Sequence, residues 1–468
     1  MVENEANMRK RRDLTKGSII KCLLAVALPM VGTAFVQMAY NLTDLFWLGK
    51  VARIGLNATE VLAGVGTAGF YLWLGVSVIY LAKIGTEVRV AQSAGAKDDH
   101  AVSAYATEGL RLVFFLALLY GVAGFFGKDL FISLFNFQND NVIQYARSYL
   151  GIISIFIVFY SLNPVFSGIY NGLGSSFLPF IISSIGLILN IILDPIFILV
   201  FKWGVEGAAI ATVISQMAVT LTFIVMFISK QRPTKIILFK DVNVKRLKDI
   251  IKLSAPIALQ SALFTMFSIV IGIFVASFGY EASTTHKLGS QIEAVAWQIG
   301  SGFQIALSAF MGQNIGAKIF SRIKKGYTEA SKILLVYGLI VVILMFVFAE
   351  NLIGIFSDDS IVIRYGTIYL QIQSISQIFM LFDIATSGAF QGLGQTSKPS
   401  VVGITFNALR IPLSWYLMKI WGLNGIWITI SSTAILKGIV LYVWFNLYMK
   451  KIPQIDVLPG NELLVSAV

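Results

Sequence analysis

The chain alternates long apolar runs with short polar interruptions, and the runs set its class. A helix needs about 20 apolar residues to cross a hydrocarbon core of about 30 Å, and windows of that kind recur along nearly the whole sequence. They are too long and too even for the alternating strands of a membrane β-barrel. The pattern predicts twelve spans, over 22–49, 61–93, 103–126, 142–171, 177–201, 207–229, 249–278, 284–314, 327–349, 361–391, 398–420 and 425–449. The longest hydrophilic stretch, "SKQRPTKIILFKDVNVKRLKDIIK" at 229–252, lies near mid-chain and reads as a linker between two bundles of six. The expected organisation is a basic lead at 1–21, a first lobe at 22–229, a linker at 230–248, a second lobe at 249–449 and a tail at 450–468.

The two halves repeat one another. "LNPVFSGIYNGLGSSFLP" (162–179) matches "FDIATSGAFQGLGQTSKP" (382–399), "KWGVEGAAIAT" (202–212) matches "IWGLNGIWITI" (420–430), and "AQSAGAKDD" (91–99) matches "GQNIGAKIF" (312–320). Pro29 and Pro256 stand near the starts of the first and seventh spans. With six spans per half the repeats run parallel, an arrangement that recurs in transporters working by alternating access.

Composition agrees with the spans. The 468 residues are 57% hydrophobic and 13% charged, against roughly a quarter charged in soluble domains. The N-terminus carries no cleavable signal pattern, and "MRKRRDLTKGSIIK" is a basic lead into a run long enough to span. A net charge of +12 would suggest nucleic acid, but its distribution argues against that. With an internal N-terminus, about 23 Lys/Arg fall in cytoplasmic segments and about 7 in external loops. That asymmetry is the positive-inside rule and predicts a multi-pass protein of the plasma membrane with both termini cytoplasmic. Cys22 is the only cysteine and His100 and His286 are far apart, so neither a disulfide nor a Cys/His metal centre is expected. No catalytic constellation or GxxxxGK[ST] loop is visible, and "GLGSS" and "GLGQT" read as equivalent connectors, so neither an enzyme nor a nucleotide-driven pump is expected.

The stretch "LILNIILDPIFILV" (187–200) places Asn190 and Asp194 in an otherwise lipid-soluble segment. Comparing the halves shows which polar groups one copy has and the other lacks: Asn190 aligns with Arg410, Asp194 with Ser414, Asp44 with Ile271 and Thr212 with Ile430. Asn190 and Asp194 share a helix face, as do Tyr40 and Asp44. The three spans that carry them bring Asp44, Asp194 and Thr212 to matching depths. Two carboxylates in a low-dielectric bundle must share a proton or hold a cation. An all-oxygen set of Asp44, Asn190, Asp194 and Thr212 suits a hard ion such as Na⁺, and the same carboxylates can carry H⁺. Pro195 removes a backbone donor and loosens the turn before it.

At these residues the sequence resembles the multidrug and toxic compound extrusion (MATE) family, over essentially residues 15–450. The resemblance rests on "ALPMVGTAFVQMAYNLTDLFWLGK", "GIYNGLGSSFLPFIISSIGLILNIILDPIFI", "WGVEGAAIATVISQ", "LGSQIEAVAWQIGSGFQIALSAFMGQNIGA" and the mid-chain linker. It implies an all-α polytopic membrane protein of twelve transmembrane helices, in two pseudo-symmetric six-helix bundles forming a V. It also implies cofactor-free export of small organic compounds by antiport with H⁺ or Na⁺. In the DinF-like and archaeal branch the first-lobe cation site would fall on Asp44, Asn190, Asp194 and Thr212, with Tyr40 and Asn163 in the surrounding network. The NorM-like branch uses a Glu in span 7 and an Asp in span 10. Here the former position is Phe264 and Asp383 is displaced by about a turn, which favours the first-lobe site.

Glu293 and Asp383 are the intramembrane acids of the second half. They are expected either to line a substrate cavity and attract organic cations, or to pair with Arg410 or Lys437. Such a transporter is expected to act as a monomer in the bilayer, on cationic and amphipathic substrates. The rival expectation is a flippase for a lipid-linked saccharide, whose pyrophosphate would call for an Arg/Lys-rich cavity; few intramembrane cations are present.

Overall fold

A computed structural model of the chain describes residues 11–229, 232–237, 242–452 and 456, and among them every regular element is helical. The long helices are α1 (Ile19–Leu48), α2 (Ala58–Gly95), α3 (Asp99–Ser133), α4 (Asp140–Gly172), α5 (Phe177–Pro195), α6 (Gly204–Ile228), α7 (Val244–Ala276), α8 (Tyr280–Gly316) and α9 (Phe320–Val347). They are followed by α10 (Ser360–Ser374), α11 (Gln377–Gly392), α12 (Ser397–Trp421) and α13 (Leu423–Met449). Ten of the described helices are long and apolar enough to cross a membrane, and α10 with α11 makes one further span bent by 51°. Helix α8 has the length, 37 residues, but its Thr, Ser, Gln and Glu leave it less apolar than the rest. With α8 counted, the described residues hold twelve helical segments of spanning length, α10 with α11 taken as one.

Helix starts follow from side-chain caps. Asn57 accepts from the backbone N–H of Thr59 and Glu60 at the start of α2, Asn139 does the same for α4, and Asp359 for α10. Each satisfies donors that the first turn leaves free.

The chain divides into two compact units. Unit 1 is Leu28–Ala258 with the residues before Leu14, and unit 2 is Leu14–Ala27 with Leu259 onward. Chain membership therefore changes within α1 beside Pro29 and within α7 beside Pro256, the matching prolines of the two repeats. The lead into α1 is held in unit 2, where Leu14 N–H donates to Gln313 Oε1 at 2.9 Å and Arg322 donates to the carbonyls of Leu14 and Gly17. The linker is held in unit 1: Arg111, paired with Glu108 at 2.9 Å, donates to the Ile237 carbonyl, and Asn243 N–H donates to Glu108.

The duplication is visible in backbone detail. Lys97 and Lys318 both adopt left-handed φ, 58° and 57°, and Gly174 and Gly394 do so at 73° and 74°. Gly172 and Gly392 occupy equivalent close approaches: an added Cβ would stand 2.7 Å from the Glu87 carbonyl oxygen and 2.3 Å from that of Ser308. Neither carbonyl can move without its helix. Gly392→Ala is therefore expected to lower stability by about 1–3 kcal/mol, more than Gly172→Ala, and thermal melting of the two variants in detergent checks the order.

Unit 1 contains two apolar clusters, one around Leu48, Tyr149, Ile198 and Val205, the other around Ala106, Phe166, Tyr170 and Phe223. Along α6 the first ends at Val213 and the second begins at Val219. Between them α6 carries Ser215 and Gln216.

Candidate functional site

Helices α1, α5 and α6 supply the polar groups of that interval, with α4 behind them. Asn190 and Asp194, one turn apart near the end of α5, are both fully buried, and Asn190 Nδ2 donates to Asp194 Oδ1 at 3.0 Å. Pro195 follows, without an N–H, and the helix widens into a π-helical turn over Ile196–Val200. From α6, Thr212 Oγ1 donates to Asp44 Oδ2 at 3.4 Å. Tyr40, one turn before Asp44 on α1, donates its hydroxyl to the Thr212 carbonyl at 3.4 Å. Asp44 faces both Asp194 and Asn190, and the buried Tyr149 of α4 faces Thr212, within range of the charges of Asp44 and Asp194.

Three buried oxygens of this cluster have no hydrogen-bond partner among the described residues: Asp44 Oδ1, Asn190 Oδ1 and Asp194 Oδ2. An unmade hydrogen bond to a buried polar group costs about 1–3 kcal/mol. Three of them approach the whole stability of a typical domain, about 5–15 kcal/mol. Among the described residues neither carboxylate is paired with a Lys or Arg. The oxygens converge where a proton or a hard cation would satisfy them.

The polar chain continues along α6. Tyr40 also faces Ser215 and Gln216. Gln216 Oε1 accepts from Asn163 Nδ2 at 2.8 Å, and Asn163 Oδ1 accepts from Thr220 Oγ1 at 2.8 Å. Asn163 thus joins the cluster through Gln216 rather than touching a carboxylate.

Unit 2 has its own intramembrane charges. Asp383 on α11 pairs with Lys437 on α13 at 2.9 Å. Glu293 on α8 is 5% exposed, with Tyr369 and Gln377 facing its carboxylate and Arg410 within range of its charge.

A family model described as MatE matches residues 29–196 and 256–416, one segment in each repeat. The chain belongs to the MatE family. Its members are membrane transporters rather than enzymes, and so is this chain. It is 25% identical to a "Probable multidrug resistance protein NorM" of Thermotoga maritima, over 91% of this chain and 92% of that one. It is 22% identical to the "Multidrug export protein MepA" of Staphylococcus saprophyticus, over 95% and 98% of the two chains. Among solved structures, one titled as the outward-facing conformation of a multidrug resistance MATE family transporter superposes with a TM-score of 0.87, at 22% identity, over 94% of this chain and 98% of that one. A transporter from Pyrococcus furiosus, titled as having a binding pocket of reverse polarity, gives 0.84 at 23% identity over the same shares.

In this MatE protein the structure gathers Tyr40, Asp44, Asn190, Asp194 and Thr212 into one cluster and leaves Glu293 and Asp383 in the other unit. Sequence reading missed Tyr149, Ser215, Gln216 and Thr220. Two signals were available. Thr212, Gln216 and Thr220 recur every fourth residue on one face of α6, and Tyr149 aligns with Tyr369 in the second repeat.

Proposed function

We propose that this MatE transporter is a secondary active exporter of small organic compounds, cationic and amphipathic, driven by antiport of H⁺ or Na⁺ bound at Asp44, Asn190, Asp194 and Thr212. The observation that carries the reading is the trio of buried, unpartnered oxygens on Asp44, Asn190 and Asp194, whose two carboxylates have no basic partner among the described residues. Ion binding satisfies those oxygens and removes the repulsion between Asp44 and Asp194, so it stabilises whichever conformation closes the cluster. Substrate favours the other conformation. A difference in affinity between two states is all that coupling requires. Thr212 orients the Asp44 carboxylate, Tyr40 bonds the Thr212 carbonyl, and the Gln216–Asn163–Thr220 chain holds α6 against α4. The names of the relatives, multidrug resistance and export proteins, support the substrate class. The Lys/Arg asymmetry supports a cell-membrane protein with both termini cytoplasmic, and one chain carries the whole cation site, which fits a monomer.

Purified protein in liposomes, with a fluorescent organic cation as substrate, tests this. A pH gradient and a Na⁺ gradient are imposed separately on wild type and on Asp44→Asn. Transport driven by one gradient and abolished in the variant is the expected result, and it names the ion. Movement that ignores both gradients in the wild type overturns antiport and returns weight to a lipid-linked saccharide as cargo.

A further inference from the structure

A groove of about 200 Å³ opens on the surface of unit 1 between α3 and α4. Its walls are apolar: Ala117, Val122 and Phe125 from α3, Ile155 and Val158 from α4. Val122 and Ile155 are 49% and 57% exposed, in spans whose surroundings are lipid. Two glycines of α3 bring the helices together here. An added Cβ at Gly121 would stand 2.5 Å from the Ser154 carbonyl oxygen, and one at Gly124 2.5 Å from the Ser154 hydroxyl. Ser154 lines the groove and is 2% exposed, and its hydroxyl has no hydrogen-bond partner among the described residues. Lys128 stands at the end of the groove nearer the C-terminus of α3. Its Nζ is 4.4 Å from the centroid of the Phe125 ring and 3.4 Å from the place a Cβ on Gly151 would take. Lys128 pairs with no acid among the described residues, and its neighbour Asp129 is taken by Arg147 at 2.6 Å.

The second repeat meets the same place with its own side chains. The offset that pairs Lys97 with Lys318 sets Gly121 opposite Val342, Gly124 opposite Met345 and Lys128 opposite Ala349. Met345 and Ala349 are buried in the apolar cluster of unit 2. The offset that pairs Tyr149 with Tyr369 sets Ser154 opposite Ser374, whose hydroxyl donates to the Gln371 carbonyl at 2.7 Å. In unit 2 a methionine takes the space, the serine is satisfied and the charge is gone. In unit 1 the space, the hydroxyl and the charge are all left for another molecule to meet.

We propose that the α3–α4 groove binds one anionic glycerophospholipid of the surrounding bilayer, with its phosphate at Lys128, an ester carbonyl at Ser154 and an acyl chain along the apolar walls. The order of these groups along the helices carries the inference. Gly151 marks the level of the ammonium on α4, and Ser154 lies three residues, about 4.5 Å, further along. Glycerol joins a phosphate to an ester carbonyl over a separation of that order. The chain then continues in the direction in which Ile155 and Val158 extend the groove. A buried hydroxyl without a partner is costly, and an ester carbonyl accepts the bond that Ser154 does not make to protein. The chain alone selects nothing, because lipid tails are as apolar as the walls. Selection comes from the polar end, where a basic side chain at headgroup level favours an anionic lipid. A zwitterionic headgroup brings its own cation, which competes with Lys128 for the phosphate and repels it.

Native mass spectrometry of the full-length protein in detergent, titrated with dioleoyl phosphatidylglycerol, reads the affinity of the first lipid bound. Lys128→Gln, which keeps the stem and removes the charge, is expected to weaken that step about fivefold or more. Ser154→Ala is expected to weaken it roughly three- to tenfold. Ile155→Trp closes the groove from α4 and Val122→Trp from α3, each at a side chain that faces lipid, and each is expected to abolish the strong first step and leave only weak adsorption. Two further lipids test the headgroup on wild type without any substitution. Dioleoylglycerol, which has the same chains and no phosphate, is expected to bind no more tightly than phosphatidylglycerol binds Lys128→Gln, and dioleoyl phosphatidylcholine more weakly than phosphatidylglycerol. Dioleoylglycerol or phosphatidylcholine binding as tightly as phosphatidylglycerol overturns the proposal, as does a first step that survives Lys128→Gln or both Trp variants. Wild-type affinity in Ser154→Ala removes the ester carbonyl from Ser154 and overturns the arrangement proposed.

Discussion

Asp194→Asn abolishes gradient-driven export while leaving the protein folded and able to exchange substrate. The amide has the shape of the carboxylate, so the Asn190 Nδ2 contact now made at 3.0 Å to Asp194 Oδ1 can persist. What is lost is the charge. Hydrogen bonds to charged groups contribute about 1.5–3 kcal/mol, so the ion is expected to bind about 10- to 150-fold more weakly. The amide also cannot release a proton. Substrate exchange with no gradient imposed depends only on the conformational cycle and is expected to stay within about threefold of wild type, since a tenfold change would need 1.4 kcal/mol on a step that the ion does not enter. Comparing gradient-driven uptake with equilibrium exchange in the same liposomes separates the two. Gradient-driven export at the wild-type rate in this variant would sink the assignment.

The second large effect concerns stability. Lys437→Met leaves the Asp383 carboxylate without its partner in a site where both side chains are only 13% exposed. Removing one member of a buried pair costs about 3–5 kcal/mol, whereas replacing both by neutral groups is often close to neutral. Lys437→Met is thus expected to melt well below wild type, and Asp383→Asn/Lys437→Met to recover most of the loss. The melting temperatures of the two single variants and the double form a complete cycle. A double variant as unstable as the single, or a single variant that melts with wild type, rules out the pair as a stabilising unit.

The class of the fold was legible because lipid leaves helices as the main way to satisfy a backbone, and an apolar run of spanning length has few other readings. Helix α8 shows the limit of that logic. Its polar residues Thr285, Glu293, Ser308, Gln313 and Asn314 are buried in unit 2 and lower its apolarity below that of a typical span, yet the apolar residues between them still marked it at 284–314. Asp44, Asn190, Asp194 and Thr212 were legible because the second repeat lacks them, and a difference between copies stands out against shared packing. Tyr149 was not, for the converse reason: both repeats have it, so it looked like scaffold. Gln216 and Thr220 lie on a helix whose polar residues read individually as tolerated, and only the contact with Asn163 from α4 reveals a network. For the acids of the second half, the sequence offered Lys437 and Arg410 as partners without dividing them. The structure pairs Asp383 with Lys437 at 2.9 Å, while Arg410 donates to Thr433 Oγ1.

The exchange of chain between units beside Pro29 and Pro256 constrains the order in which the protein can be built. Leu14–Ala27 is synthesised ahead of unit 1's main segment, yet the rest of its own unit begins at Leu259, roughly 230 residues later. At about 5–20 residues per second, those turns wait tens of seconds for the neighbours that will bury them. Unit 1, in turn, is incomplete until the ribosome has passed the linker and reached Ala258. A gene cut in the linker would therefore yield two fragments, neither of which encodes a whole unit. Each would need the other present in the same membrane, as two identical half-length ancestors exchanging their first helical turns would have needed one another.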